Sequence, residues 1–377
     1  MKILFIVPYY KPAYIYGGPI VVISLLAENL ALLGHDVTIY TSTANGDIEL
    51  DTEPNKEVLI DGVKVIYFGR VTKDNTYVSP KLWRHLSKTA NDFDVVHIHT
   101  WWNFLALGAA LICSRKNIKP IISPHGMLSD YIFYKRHALA KKWLHKLIGE
   151  KLLKNSWLHV STQMEWDESK KIIPEWEGRI IPNMIKLSEK EYIKESNLEF
   201  RIGFLSRIDP KKGLNVLIQA LALVKLPYKL FVAGSGDSNY INSLKMLSEE
   251  CGNADKINWV GWKKGEEKFE FLAQMNLFAL TSHSENFAIV VIESLSVGTP
   301  VLISNNVGLC SYVQQKGYGY VTDMNVENIA NDINNLMADK KRINKINLES
   351  PGVINQEYQE KALAIKYLEY YYSTKTV

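Results

Sequence analysis

The chain has 377 residues, more than one hydrophobic core usually serves, and therefore predicts two domains. Its 47% of apolar and 22% of charged residues exclude a disordered or fibrous protein, and its net charge of +4 is too small to indicate a nucleic-acid partner. No apolar run reaches the roughly 18 residues that a membrane-spanning helix needs.

Strand-like and helix-like segments alternate along the chain, a pattern typical of mostly parallel α/β sheets. The alternation stops at a polar stretch, 186–198, and then restarts. We therefore predict two Rossmann-like parallel-sheet domains that face each other across a cleft. The predicted boundaries are 1–185, a linker at 186–198, a second domain at 199–352, and a helix at 353–377 that packs back on the first domain. Strands are predicted at 2–7, 36–41, 57–68 (a hairpin), 94–99, from 121, 156–161, 201–205, 228–232, 257–260, 277–280 and 300–304.

The N-terminus and the cysteines indicate the environment of the chain. Residues 1–8 contain a short apolar run without a small-residue cleavage site, so we expect a first strand and no signal peptide. The three cysteines are widely spaced, odd in number and without a C-x-x-C pair. We therefore expect no disulfide framework, no zinc site and a reducing cytoplasm.

Paired glycines, Gly17 and Gly18, separate the first strand from the first helix. A backbone without side chains lets a ligand approach closely at such a turn. The pattern is not G-x-G-x-x-G and no acidic residue closes the second strand, so a nicotinamide dehydrogenase is disfavoured. We interpret the pair as a ligand-facing loop, with a plain turn as the alternative.

Polar and aromatic residues end two strands of the first domain, where open α/β sheets bind their ligands. His125, before a glycine, is the stronger functional candidate because a neutral imidazole can donate or accept a hydrogen bond. His99, Trp101 and Trp102 are predicted to lie on an acceptor side, although a core role suits His99 equally well. His97 is interpreted as a hydrogen-bonded core residue.

A formal D-x-D metal motif, Asp92-Phe93-Asp94, leads into a strand rather than following one, and we interpret it as a chance match.

Residues 135–154 predict a basic helix whose only acidic residue is Glu150. Leu139, Trp143 and Leu147 recur at helical spacing and give it an apolar stripe. Such a helix, together with aromatic residues from 131 onward, suits an anionic membrane surface. A helix packed on the sheet with a solvated cationic face is an equally good interpretation.

Two carboxylates, Glu285 and Glu293, lie eight residues apart after an apolar strand, the first in a turn and the second about two helical turns further on. At about 100° per residue, eight helical residues return close to the same side, so both acids are expected to face one crevice. The backbone N–H groups of Asn286 and Phe287 would point out of the helix N-terminus, where an anion is favoured. This arrangement suits a nucleotide sugar.

Two cations, Arg207 and Lys212, lie five residues apart across a proline-containing turn that follows the second domain's first strand. A guanidinium binds phosphate oxygens bidentately and an ammonium acts as a point charge. Both can therefore offset the charge that develops on a leaving diphosphate, so a metal ion is not required.

The chain resembles the retaining nucleotide-sugar transferases of glycosyltransferase family 4, which have the GT-B fold, over nearly its whole length. The specific parts are Glu285…Glu293 and Arg207…Lys212-Gly213. The segment 124–128 is similar to the bacterial surface-polysaccharide branch (O-antigen or capsule). Asn286 departs from the glycine that many members have there, and the segment 307–313 lacks a glutamate that is often found in it.

The resemblance implies a role for each motif. Arg207 and Lys212 hold the diphosphate, Glu285 contacts the sugar hydroxyls and Glu293 holds the ribose. His125 is the active-site histidine. The expected donor contacts are completed by Gly17, Gly18, Ser206, Gly234, Trp262, Asn286, Phe287 and Ala288.

These expectations describe a cytoplasmic, metal-independent, retaining enzyme without a cofactor. It would move a hexose or N-acetylhexosamine from a UDP- or GDP-sugar to a glycan, expected to be lipid-linked, with a peripheral membrane contact through 131–154. The alternatives are a GT-B-fold sugar-nucleotide 2-epimerase, which needs no acceptor, and a nucleotide-sugar-binding protein without catalysis.

Overall fold

The computed structural model describes residues 1–129, 138–194 and 199–375, which form two compact units. One unit comprises Met1–Lys186 together with Tyr358–Val377, and the other comprises Leu187–Glu357. Each unit is built on a sheet of mostly parallel strands with helices between them, so the predicted α/β class is confirmed. No helix in the described ranges has the length and apolar character needed to cross a membrane.

The first unit contains one large sheet of order β10-β9-β8-β7-β1-β2-β6-β5, in which the edge pair β5 and β6 is antiparallel and the other pairs are parallel. That pair is the predicted hairpin at 57–68. The short strands β3 and β4 form a separate ribbon. The strands are β1 Lys2–Ile6, β2 Asp36–Ser42, β3 Ala44–Asn45, β4 Ile48–Glu49, β5 Glu57–Ile60, β6 Val63–Phe68, β7 Val95–His99, β8 Ile121–Ser123, β9 Trp157–Val160 and β10 Gly178–Ile180.

Helices connect these strands and bury the sheet. Because the central strands are covered on both faces, β1 and β7 are continuous buried runs rather than alternating ones. The helices are α1 Gly18–Leu32, α2 Pro80–Thr89, α3 Phe104–Arg115, α4 Ala138–Leu144, α5 Glu150–Lys154 and α6 Gln163–Ile172. A π-helical turn, His145–Gly149, joins α4 to α5, so the predicted basic helix is described from 138 to 154. Its predicted start at 135, and the aromatic residues before it, lie outside the described residues.

The second unit contains a fully parallel sheet of order β13-β12-β11-β14-β15-β16. Strand order therefore reverses between β11 and β14, the topological switch point at which doubly wound folds bind ligands. The strands are β11 Phe200–Leu205, β12 Tyr228–Ala233, β13 Ile257–Gly261, β14 Leu277–Leu280, β15 Val301–Ser304 and β16 Gly319–Thr322. The helices are α7 Leu214–Ala222, α8 Ser238–Glu250, α9 Glu266–Ala273, α10 Ile289–Ser296, α11 Cys310–Lys316, α12 Val326–Ala338 and α13 Lys340–Glu357.

The described part of the predicted linker, up to Lys194, packs on the second unit. The ammonium of Lys194 donates to the carbonyls of Ala273 and Met275, at 2.9 and 3.1 Å, at the carboxyl end of α9. Lys190 forms a 3.2 Å ion pair with Glu270 of the same helix. Residues 187–194 therefore belong to a domain rather than to a separate linker, because their side chains cap and pair with a helix of that domain.

The last helix, α14 Glu360–Thr374, belongs to the first unit. Residues 353–357, predicted to be part of it, instead end α13 of the second unit. Three tyrosines of α14 anchor it: the Tyr371 hydroxyl lies 2.8 Å from His97 Nδ1, the Tyr370 hydroxyl donates to a carbonyl of β9 at 2.8 Å, and the Tyr367 hydroxyl donates to Pro182.

We expect Tyr371→Phe to lower the free energy of unfolding by about 1–3 kcal/mol, because the buried His97 Nδ1 would lose its hydrogen bond. Tyr372, 59% exposed in the same helix, gives the matched control: Tyr372→Phe should change stability by less than about 0.5 kcal/mol. Urea unfolding measures both. Equal stability of the two variants would contradict the anchoring role of the Tyr371 hydroxyl.

Candidate active site

The loop after β11 carries both predicted phosphate-binding cations to the switch point of the second unit. It runs from Ser206 through a 3-10 turn, Pro210–Lys212, which Asp209 caps by accepting the N–H of Lys211 at 2.9 Å. The side chain of Arg207 is exposed, and the Lys212 side chain is only 15% exposed. The predicted position of this loop, directly after the first strand of the second unit, is confirmed. A strand, a proline-containing turn and a glycine follow one another in the sequence and identify it.

Backbone contacts tie this loop to its neighbours at the carboxyl edge of the sheet. Gly213 lies against the loop after β14: its carbonyl accepts the Thr281 hydroxyl at 2.9 Å, and a Cβ on residue 213 would lie 1.8 Å from the Thr281 carbonyl oxygen. The N–H of His283 donates to Lys211 at 2.8 Å. Only glycine fits at 213, because φ is +67° and no space exists for a side chain.

The same interlocking continues to both sides. Gly236 forms a parallel bridge with Ile208, which joins the loops after β11 and β12. Glu285 bridges Val307, which joins the loops after β14 and β15. The loops after β12, β11, β14 and β15, which are neighbouring strands of the sheet, are therefore held in one layer above it.

Within this layer Lys212 and Glu285 meet. The Lys212 Nζ lies 2.5 Å from Glu285 Oε2, and the two side chains are 15% and 22% exposed. Partial burial reduces screening by water and salt, so the pair fixes both side chains more firmly than a surface ion pair would. The sequence motifs separated by 73 residues are thus one cluster.

Glu293 has a different environment. It lies in α10, is 4% exposed, and forms an ion pair with Lys268 of α9. Burial raises the pKa of its carboxyl group, although Lys268 opposes this shift. Each acid therefore has its own lysine partner, Lys212 for Glu285 and Lys268 for Glu293.

The helix that carries Glu293 begins later than predicted. α10 starts at Ile289 after Ala288, which has a left-handed backbone with φ of +65°. Asn286 and Phe287 accordingly precede the helix, and their N–H groups are not its N-terminal donors. The eight-residue spacing spans a turn plus a helix, with Glu285 in the turn and Glu293 in the helix, as predicted.

The other predicted donor contacts occupy the same edge of the sheet. Gly234 follows β12, and a Cβ there would lie 2.1 Å from the carbonyl oxygen of Ser206. This close approach of the two backbones is enough to require glycine at position 234, whether or not a ligand binds there. Trp262 follows the edge strand β13 and is 52% exposed.

In the first unit, the predicted ligand-facing glycines are exposed: Gly17 precedes α1 and Gly18 is its first residue. Gly17 has φ of +73° and ψ of −137°, a conformation that glycine alone adopts readily, and it immediately precedes α1. No atom lies within 4 Å of a Cβ on Gly17. The glycine is therefore required by backbone conformation and not by packing.

His125 and His99 form a pair at the ends of β8 and β7. His125 Nε2 lies 3.0 Å from His99 Nδ1, and the rings are nearly parallel, with 5.3 Å between centroids. His99 is 2% exposed, whereas His125 is half-buried. Burial lowers the pKa of His125 to about 4 and that of His99 well below its usual value, so both rings are neutral at pH 7.

The two tryptophans predicted on an acceptor side differ. Trp101 is fully buried in the hydrophobic core, so its ring does not face a ligand as expected. Trp102 is half-buried and donates its indole N–H to the carbonyl of Met127 at 2.7 Å, which braces the His125 loop.

His97 is a fully buried, hydrogen-bonded core residue, as predicted. Its Nε2 lies 2.6 Å from Ser123 Oγ, which lies 2.6 Å from His159 Nδ1; His159 Nε2 lies 3.1 Å from the carbonyl of Ile181. A carbonyl only accepts, so His159 carries its proton on Nε2. The chain of hydrogen bonds then runs in one direction from Tyr371 to Ile181 with both imidazoles neutral.

Sequence reasoning missed two charged residues that contact the candidate site. Lys268 gave no signal, because a lysine in an amphipathic helix is ordinarily solvated. Glu165 is 3% exposed and accepts the N–H of Gly126 at 2.6 Å. The capping box Thr162-x-x-Glu165 could have identified it as an ordered helix N-terminus.

Within the described ranges, no group of three or more His, Cys, Asp or Glu side chains is arranged to hold a metal ion.

We expect Gly213→Ala to destabilise the second unit far more than Gly252→Ala. Both glycines have φ of +67°, but no atom lies within 4 Å of a Cβ on Gly252. The control therefore carries only the left-handed backbone strain, about 1–2 kcal/mol, and the difference between the variants isolates the contact with Thr281. Thermal unfolding measures both, and equal losses would contradict the close approach.

Family models match both halves of the chain. The model described as Glycosyltransferase Family 4 matches residues 16–189, and the model described as Glycosyl transferases group 1 matches residues 188–350.

Similar proteins and structures agree with these matches. An uncharacterized glycosyltransferase of Methanocaldococcus jannaschii is 26% identical over 90% of each chain. The alpha-monoglucosyldiacylglycerol synthase of Streptococcus pneumoniae is 26% identical over 79% of this chain and 70% of its own. Among solved structures, Anabaena Alr3699/HepE in complex with UDP has a TM-score of 0.75 and 18% identity, covering 98% of this chain and 99% of its own. The parallel-sheet units and these matches identify the chain as a glycosyltransferase of the family 4 type with a GT-B fold.

Proposed function

We propose that the chain transfers a hexose or an N-acetylhexosamine from a UDP- or GDP-sugar to a glycan hydroxyl, with retention of anomeric configuration. The observation that carries this proposal is the ion pair between Lys212 and Glu285, with Arg207 on the same loop, at the switch point of the second unit. Cations for a diphosphate and a carboxylate for sugar hydroxyls are thereby presented together.

The cations would bind the diphosphate. Arg207 is exposed and makes no ion pair with the residues that the structure describes, so its guanidinium is available for phosphate oxygens. The Lys212 ammonium is held in place by Glu285 before a donor arrives. Two positioned cations stabilise the charge that develops on the diphosphate, and we propose that they do so without a metal ion.

The carboxylates would bind hydroxyl groups. Glu285 Oε2 accepts from Lys212, which leaves lone pairs on the same carboxylate for sugar hydroxyls. Glu293 would hold the ribose hydroxyls. Lys268 would then have to share the Glu293 carboxylate with the ribose or release that carboxylate. The chain's similarity to a protein solved with UDP supports a nucleotide ligand.

In the proposed reaction the acceptor hydroxyl attacks the anomeric carbon from the face that the diphosphate leaves. The bond between the anomeric carbon and the phosphate oxygen breaks as the bond to the acceptor oxygen forms. The acceptor proton passes to the leaving phosphate oxygen, so the products are a nucleoside diphosphate and a glycoside. No side-chain nucleophile takes part, and His125 would contact the donor sugar.

A lipid-linked acceptor is supported by an exposed apolar stripe in the first unit. Leu139, Trp143 and Leu147 are 76%, 67% and 70% exposed, and lysines flank them in the sequence. The Streptococcus pneumoniae relative is named for a glycolipid product. We therefore propose peripheral contact with the inner face of the plasma membrane and a role in bacterial surface-polysaccharide synthesis, such as O-antigen or capsule.

We expect Lys212→Ala and Glu285→Ala each to lower turnover by about 10²–10³-fold, because each removes a charge aimed at the reacting groups. Lys341→Ala, which removes an exposed charge elsewhere in the second unit, should leave turnover unchanged. The turnover of each variant is measured as nucleoside diphosphate release with a panel of UDP- and GDP-sugars. The base of the donor is identified separately, because a donor that binds the native chain raises its unfolding temperature. Normal turnover in either site variant would overturn the assignment.

The membrane contact has its own test, vesicle co-sedimentation. We expect binding to vesicles that contain phosphatidylglycerol and weaker binding to neutral phosphatidylcholine. Trp143→Ser combined with Leu147→Ser should weaken binding by about tenfold or more, given roughly 1.5–3 kcal/mol per buried apolar side chain. Leu348→Ser, 83% exposed in the second unit, is the control and should bind normally. Equal binding of both variants would exclude the stripe as the contact.

A further inference from the structure

The loop that carries His125 is held in a backbone conformation that it would not adopt alone. His125 has φ of +52° and Gly126 has φ of +75°, so two consecutive residues are left-handed. A histidine in this region carries steric strain that glycine does not. Strained residues of this kind persist only where neighbouring groups fix them, and they concentrate at functional sites.

Glu165 fixes the backbone of this loop. Its Oε1 accepts the N–H of Gly126 at 2.6 Å. Its Oε2 accepts the N–H of Ser161 at 3.0 Å and the hydroxyl of Ser161 at 3.2 Å. The two oxygens therefore join the loops that follow β8 and β9. The carboxylate lies in the first turn of α6, where the helix dipole favours a negative charge.

His99 fixes the ring. Its own ring is held from two sides, by stacking on His97 at 4.1 Å between centroids and by the edge of Phe5 at 5.0 Å. Its Nδ1 lies 3.0 Å from His125 Nε2. Because both imidazoles are neutral, a single proton lies between these two nitrogens, on one ring or on the other.

The remaining nitrogen of His99 decides which ring carries that proton. His99 Nε2 is buried and has no hydrogen-bond partner among the described residues. If His125 donated, this Nε2 would carry a buried N–H without an acceptor, which folded proteins rarely tolerate. If His99 donates from Nδ1, its Nε2 holds only a lone pair. The second arrangement is therefore favoured, and His125 then carries its own proton on Nδ1.

We propose that Glu165 and His99 are positioning residues, which fix the loop and the tautomer of His125 so that its Nδ1–H is presented as a hydrogen-bond donor to a hydroxyl oxygen of the bound sugar. This inference rests on the proposed function, in which His125 contacts the donor sugar. It replaces the expectation that His99 itself contacts an acceptor, because the His99 side chain is buried behind His125.

The tautomer is measured directly by ¹⁵N NMR of the imidazole rings in the full wild-type chain, with His125→Gln to assign the signals. We expect His125 as the Nδ1–H tautomer and His99 also as the Nδ1–H tautomer at pH 7. An Nε2–H tautomer of His125, or a protonated ring, would overturn the inference. This readout does not depend on glycosyl transfer, so its failure is distinct from failure of the proposed function, which the Lys212 and Glu285 variants test.

Kinetics then test the consequence. We expect Glu165→Ala and His99→Phe each to lower kcat by about tenfold or more, with the donor KM within about twofold because the proposed diphosphate contacts lie in the second unit. His99→Asn, whose amide can donate from nearly the position of Nδ1, should recover part of the loss. Asp167→Ala, exposed in the same helix as Glu165, is the control and should retain normal kcat.

Two results would contradict the positioning role. One is a normal kcat in Glu165→Ala or His99→Phe. The other is an equal defect in His99→Asn and His99→Phe at equal donor-binding stoichiometry, because a hydrogen bond would then not be the property that matters.

Discussion

The Thr281 carbonyl oxygen lies where the Cβ of a larger residue at position 213 would be. This close approach of Gly213 to Thr281 controls the geometry at the carboxyl edge of the second unit's sheet. Because Gly213 has no side chain, the loops after β11 and β14 approach closely enough for backbone hydrogen bonding. The ion pair between Lys212 and Glu285 follows from that approach. A doubly wound sheet makes its switch point available for ligands, but the glycine determines which side chains meet there.

The first unit contains several polar side chains, the histidines among them, that are buried away from water. Its buried histidines are neutral and joined by hydrogen bonds, since a charged imidazole would be costly without water. One chain of these bonds is purely internal and ends at a backbone carbonyl. The other ends at His125, which is half-buried. His97 and His99, which are separated by one residue in β7, thus belong to two different hydrogen-bond networks: His97 bonds to Tyr371 and Ser123, and His99 bonds to His125.

Sequence reasoning predicted the α/β class and the cations after β11, because both depend on local patterns: apolar runs, a proline turn and glycine. It predicted less well where the outcome depends on partners far away in sequence. The N–H groups of Asn286 and Phe287 are predicted at the helix N-terminus, but Ala288 is left-handed and the helix begins only at Ile289. Trp101 resembled a ligand contact because core tryptophans and exposed ones look alike in sequence.

Because α14 completes the first unit, the two ends of the chain must meet before that unit is whole. During synthesis, even after β10 ends at Ile180, roughly 190 further residues must emerge before Tyr371 is made, which takes about 10–40 seconds at typical translation rates. Through this interval the imidazole of His97 lacks its final partner. The second unit, contiguous in sequence, has no such delay, so on the ribosome the half made later is the first to have its whole sequence available.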